Sequence, residues 1–436
     1  MKKLSFVLSF AIWASTAFAQ NAAVVNQSKD KNNANVIQAG SKNGAKVDQV
    51  GSENFVTVDS KGKSNEATVV QNGSGNGKAD SQTSGFVKQS GDLNSAILKE
   101  GLIGGQVAND NNGFIDQKGN NNQAVLEIMG SNNNLVNHGI TQIQSASFGS
   151  AGNTAIIKQS AFNNDMDVRQ EGSANRVYGT TLGSNNQFYV GQTGVDNRTT
   201  INQVGNNNGD LATGFDITSA GAGWNKVTQT GDRNNGVVTQ GSNDRFKVEM
   251  FGSDNKSNIN QAGNNLVTTL QDGNLNTIGG IMNYATQDEA VFAAGASMNA
   301  TQYGDHNKLY VSTAGDLTVN QNNVNAGLVG NTIKYTQTST GAAELNQIGD
   351  NNLVFLKTTT AGLINVDQNG NSNGVALYAS GSNSAATGCA VFEGTHLVVD
   401  QTGSSNLLNL NSTGANASVD VMQNGSSNWA SVVQGN

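Results

Sequence analysis

The side chains that recur at fixed spacing in this chain are carboxamides. Gln159, Gln170, Gln192 and Gln203 fall on an eleven-residue step, with Thr181 in the remaining place. Asn153, Asn164, Asn175, Asn186, Asn197 and Asn208 keep the same step. A carboxamide is no nucleophile and no proton carrier at neutral pH. It donates two hydrogens and accepts on its oxygen. The chemistry on offer is therefore hydrogen bonding, repeated many times. The unit reads Asn-x-apolar-x-apolar-x-Gln-x-Gly-x-x, and the submotif Gln-x-Gly-x-x-Asn occurs fifteen times, from Gln38 to Gln423. A short fixed period means that one small unit builds the whole chain.

Other groups invite a catalytic or binding reading and do not sustain one. Gly73-Ser74-Gly75-Asn76-Gly77-Lys78 has the glycines of a phosphate loop but lacks the spacing and the following Ser or Thr. It also falls on the repeat's own turn. His138, His306 and His396 lie far apart with no paired ligand spacing, so no metal site is expected. Cys389 has His396 seven residues on but no activating motif around it, so an incidental thiol is expected. Asp288-Glu289 could serve a polysaccharide-cleaving β-helix, yet such enzymes need clustered carboxylates, and the charges here are sparse. The Gly-Gly-x-Gly-x-Asp pattern of calcium-binding nonapeptides is absent. Tyr178 and Tyr189 sit at outward strand positions and read as ordinary strand residues rather than a binding stripe. No catalytic residue, cofactor or metal is expected.

The elements that must position the amides follow from the unit. In Asn164-Asp165-Met166-Asp167-Val168-Arg169-Gln170, Asn164, Met166, Val168 and Gln170 share one face, and the charged residues share the other. This is the period of two of a half-buried strand. Glycine tolerates positive φ, and asparagine is the next most tolerant, so Gly-x-x-Asn reads as a tight turn. Strand, turn, strand, turn makes a rung of about 22 residues, in two eleven-residue halves. Stacked rungs give an all-β fold, a parallel β-solenoid with strands about 4.8 Å apart. A lone buried amide costs a few kcal/mol. In register, each can donate to the copy above and accept from the copy below. The expected ladder comprises Asn153, Gln159, Asn164, Gln170, Asn175, Gln192, Asn197, Gln203, Gln401, Asn406, Gln423, Asn428 and Gln434. The expected turn residues are Gly172, Gly194, Gly205, Gly403 and Gly425. Ser60, Ile128, Thr181 and Met250 stand where the ladder glutamine is due. Longer insertions are expected at the turns in 102–112, 210–224, 283–298 and 384–393. One-residue deletions are expected near Gln240 and Asn265.

Composition agrees with a stack. Proline is absent from all 436 residues, as it would be where every segment must pair. One cysteine excludes an internal disulfide framework. The formal net charge is −8, which argues against nucleic acid as a partner. Lys2, Lys3, the apolar run from Leu4 to Trp13 and Ala17-Phe18-Ala19 read as a secretory leader, residues 1–19. No later run reaches the roughly 18 apolar residues of a membrane span. The last strand, from Trp429, stays in step at Gln434, so it is expected to template a further rung.

The repeated Asn, apolar, apolar, Gln, Gly, Asn pattern behind a secretory leader resembles the curlin repeat of curli fibre subunits, over most of the chain after the leader. The familiar members have about five repeats; this chain is longer and carries large insertions. The resemblance implies a subunit exported unfolded through an outer-membrane pore, assembling with itself, or with a second curlin-type subunit, into an extracellular cell-surface amyloid fibre for adhesion and biofilm. It implies a secretion-targeting segment at residues 20–33, ahead of a repeat region at 34–436. It places the assembly-promoting amides at Asn164, Gln170, Gln192, Gln203, Gln401 and Gln423. The alternative is a monomeric β-solenoid adhesin that grips a glycan or surface.

Overall fold

The computed structural model describes residues 20–77, 85–101, 110–133, 139–144, 151–209, 225–261, 265–279, 290–292, 297–311, 316–323, 330–337, 342–358, 364–378, 389–392, 397–412 and 419–434. The expected leader, His138, His396 and Asp288-Glu289 lie outside these residues. Every regular element among them is a β-strand. The chain divides into two compact units, residues 1–185 and 186–436.

In the first unit, successive strands alternate between two parallel sheets. One sheet runs from Ala22–Ser28 through Gly44–Val50, Glu66–Asn72, Ser95–Gly101, Gln123–Met129 and Thr154–Ser160 to Arg176–Leu182. The other runs from Asn33–Ser41 through Phe55–Lys63, Phe86–Ser90, Phe114–Lys118 and Ile140–Ile143 to Asp165–Ser173. In the second unit one sheet opens with Gln187–Val195 and Lys226–Thr230 and continues to Val419–Asn424. Its counterpart opens with Arg198–Val204 and Asn235–Gln240 and continues to Trp429–Gln434. Each unit is a parallel β-solenoid with two strands to a rung, as the period implies.

Alternation decides which residues fill the core. Met166, Val168 and Gln170 are fully buried, while Asp165 and Asp167 are half-buried and Arg169 is exposed. The core of the first unit is built from residues such as Val47, Val69, Leu98, Leu126 and Ile157. That of the second is built from Phe188, Ile201, Val238, Phe246 and Ile259. Each such side chain contributes about 1.5–3 kcal/mol by leaving water. Phe86 and Phe114, on adjacent strands, stack with ring centroids 5.1 Å apart.

The turns carry two left-handed residues. Gly172, Gly194, Gly205, Gly403 and Gly425 have φ between 110° and 123°. The second is the residue before the ladder asparagine, not that asparagine itself: Ala174, Asp196, Ser405 and Ser427 have φ near 60°. The asparagine is thereby left to open the next strand with its side chain turned inward.

Insertions do not all fall at turns. Thr277–Ile278 and Ala290–Phe292 both pair with Lys256–Gln261, the first through Lys256 and Ser257 and the second through Ile259 to Gln261. Gly374–Tyr378 and Cys389–Phe392 likewise share the neighbour Leu353–Thr358. These insertions interrupt a strand, and pairing resumes on the same neighbour. The rungs near Gln240 and Asn265 are one residue short: Asn234, Asn255 and Asn276 succeed one another 21 residues apart.

Candidate functional site

The glutamines of each sheet face inward and form a directional chain. In the first unit Gln27 Nε2 donates to Gln49 Oε1 at 2.6 Å, and Gln49 Nε2 donates to Gln71 Oε1 at 2.7 Å. In the facing sheet the chain runs Gln89 to Gln117, Gln142 and Gln170 at 2.8–3.0 Å. In the second unit Gln192 donates to Gln229 at 2.8 Å, and Gln203 to Gln240 at 2.8 Å. Further along, Gln271, Gln302, Gln321, Gln347, Gln368, Gln401 and Gln423 follow one another at 2.7–3.0 Å. Each of these amides sends its nitrogen toward the higher-numbered residue.

The nitrogen's second hydrogen ties the two sheets together. Gln49 donates to the Asn33 carbonyl, Gln170 to Thr154, Gln203 to Gln187 and Gln423 to Leu407, at 2.9–3.3 Å. A donor pair satisfied along the stack and across the rung makes a buried amide tolerable.

The asparagines do not pair amide with amide as their main contact. Each accepts on Oδ1 from the backbone N–H of the next asparagine: Asn175 N–H donates to Asn153, Asn406 N–H to Asn373, and Asn428 N–H to Asn406, at 3.0–3.1 Å. In most of them Nδ2 donates to the carbonyl of the next turn glycine, although Asn133 reaches Ala161 instead and the Asn331 nitrogen has no partner. Asn153 reaches Gly172 at 3.0 Å, Asn197 reaches Gly231 at 2.6 Å, and Asn406 reaches Gly425 at 3.0 Å. Asn164 N–H donates to Asn133 Oδ1 at 2.9 Å. The shorter side chain reaches the neighbouring main chain, so the asparagine column caps the turns while the glutamine column runs through the core.

Twelve of the expected ladder residues have described side chains, and eleven of them take part. Gln159 does not. It is fully buried, and neither its oxygen nor its nitrogen has a hydrogen-bond partner. Its register neighbours are Ile128 and Thr181, and the Thr181 hydroxyl is unpartnered too. Gln434 pairs through its backbone with the strand Leu407–Ser412, opposite Ser412. A second departure follows Gln71, whose Nε2 donates at 2.7 Å to the Oε2 of a carboxylic acid, Glu100. Glu100 is fully buried, and burial pushes its carboxyl up to about 8. Met250, in register before Gln271, leaves the Gln271 oxygen without a donor. Ser60 keeps the column going by donating to Gln89 at 2.9 Å.

Fifteen submotifs point to most ladder members but miss Gln27, Gln142, Gln240, Gln261, Gln321, Glu100 and Asp244. Asp244 stands in for an asparagine, accepting from Asn265 N–H at 2.9 Å. The signal that would have found Glu100 is its place six residues after Asn94, where the unit puts its glutamine.

The other tempting groups fall elsewhere. Gly73, Gly75 and Gly77 have positive φ in a ladder turn, and Asn76 N–H donates to Asn54. His306 occupies a turn with φ 62°. Cys389 opens a short strand. Tyr178 and Tyr189 are half-buried at outward positions, with the Lys226 ammonium 5.6 Å from the Tyr189 ring centre. No helix among the described residues is long and apolar enough to cross a membrane.

Fold and site together define a β-solenoid repeat protein whose recurring chemical feature, among the described residues, is its inner amides. The family model for the curlin associated repeat matches residues 30–62 and 163–194, so the chain carries curlin repeats at those stretches. No curated protein matches the chain.

Proposed function

We propose that the chain is a secreted subunit of an extracellular curli-type amyloid fibre, adding end to end by β-strand pairing and supporting adhesion and biofilm matrix. Export would use the leader at 1–19, the segment at 20–33 and an outer-membrane pore. The observation that carries this reading is the one-way amide ladder, held in register across rungs of unequal length. Among the described residues, Ala22–Ser28 and Asn33–Ser41 each pair on one side only, and the first is exposed along its whole length. Val419–Asn424 likewise pairs on one side, with Met422 at 75% exposure. An open strand edge templates another strand. Because the ladder has a direction, a second copy fits head to tail: Gln423 would meet Gln38 of the incoming copy, and Met422 would meet Ile37, itself exposed.

The test is electron microscopy and thioflavin kinetics on the purified chain, with fibre diffraction. Fibres with a 4.7–4.8 Å repeat are expected. Gln423→Ala should elongate several-fold more slowly, and the outward variant Arg169→Ala at the parental rate. A chain that stays monomeric for days would sink the proposal. Saturable glycan binding without fibres would favour the adhesin.

A further inference from the structure

Glu100 occupies a glutamine's place, and its surroundings are made for an uncharged group. It lies on Ser95–Gly101 between Glu66–Asn72 and Gln123–Met129, with Gln71 on one side of its column and Ile128 on the other. Its Oε2 receives the Gln71 amide, and its Oε1 has no partner. The inward side chains of the two neighbouring strands are Ala67, Val69 and Gln71, then Ala124, Leu126 and Ile128. From the facing strand Phe114–Lys118 come Ile115 and Gln117. None of these can be charged. Glu66, Lys99, Glu127, Asp116 and Lys118 on the same strands are at the alternate, outward positions. The Gln71 amide and, to a lesser degree, the Gly113 amide favour the ionised form, but burial opposes it more strongly.

We propose that Glu100 makes closure of its rung depend on acidity: the strand Ser95–Gly101 packs shut with the carboxyl protonated and loosens as the proton is lost. A glutamine here would accept from Gln71 at every pH. A carboxylic acid mimics glutamine only in its neutral form, and for a buried carboxylate facing Ile128 the hydrogen bonds from Gln71 and Gly113 fall short of offsetting its desolvation. Unfolded, the group has its ordinary value of 4.5; folded, it is held near 8. The folded chain therefore keeps a proton that the unfolded chain has released. Stability is greatest below about 4.5, falls as pH rises toward 8, and is level above. This concerns the single folded chain, whether or not fibres form.

Hydrogen exchange of the full chain from pH 5 to 9, corrected for intrinsic rates, tests it. Amides of Ser95–Gly101 should lose protection by up to about tenfold per pH unit between 5 and 8. Glu100→Gln should hold protection level across that range. Glu100→Met, with the residue that serves at Met250, should do the same if the glutamine variant folds poorly. Glu127→Gln, which removes an outward carboxylate, should keep the parental loss. Level protection in the parent, or an undiminished loss in both Glu100 variants, would overturn the proposal.

Discussion

At the scale of single residues, similar amides differ sharply in what they do. Asn352 accepts from Asn373 N–H at 3.0 Å and donates to the Gly370 carbonyl at 2.8 Å. Asn352→Ala would leave both backbone groups short of a partner, at about 1–3 kcal/mol each. A loss of roughly 2–4 kcal/mol in urea unfolding is expected. Gln159, equally buried, pairs with nothing. Gln159→Leu should therefore be neutral within about 1 kcal/mol or stabilising, since an unmet amide is removed with its volume kept. A loss above about 2 kcal/mol would mean that Gln159 makes hydrogen bonds in solution. The sequence treats these residues alike because each sits in step. Partnership depends on what occupies the same step one rung away, and Ile128 does not advertise what it withholds from Gln159.

At the scale of elements, strands and turns were legible because two local rules coincide. The alternation in Asn164 to Gln170 and the glycine at 172 define the same unit from different physics, burial and backbone sterics. The insertions were less legible. A gap in a one-dimensional period cannot say whether it opens at a turn or inside a strand, and Thr277–Ile278 with Ala290–Phe292 shows the second. Left-handed residues before the ladder asparagine were also hidden, because alanine, aspartate and serine all fill that place. The turns yield a paired prediction. Gly403 has φ 110°, and a Cβ there would strike the Gly425 carbonyl, so Gly403→Ala should cost about 2 kcal/mol or more. Gly44 lies in a strand, and its Cβ would meet only the Glu66 Cγ at 3.8 Å. Gly44→Ala should be tolerated, with a gain of up to about 1 kcal/mol from the unfolded chain. Thermal unfolding of the two variants side by side checks the difference.

At the scale of the whole molecule, opposing ionisations set a working range. Hydrogen bonds from Lys46, Lys99 and Arg233 hold Asp48, Glu127 and Asp254 below the usual carboxylate range. Their contribution is present above about pH 4.5 and fades as the pH falls through their lowered values. Glu100 acts in the other direction, weakening the fold as pH climbs toward 8. The urea midpoint should peak near pH 4–5, and Glu100→Gln should extend that peak into a plateau at neutral pH. A parental midpoint that rises steadily from pH 5 to 8 would contradict this balance.

The interrupted strands also make the molecule a natural carrier. Thr277–Ile278 and Ala290–Phe292 keep their places on Lys256–Gln261 although the residues between them are extra to the repeat. Gly374–Tyr378 and Cys389–Phe392 do the same on Leu353–Thr358. A foreign peptide or small enzyme spliced into either gap would inherit that permissiveness. Where subunits join into a fibre, such cargo would be displayed once per chain along its length, without any of the amide contacts having to be redesigned.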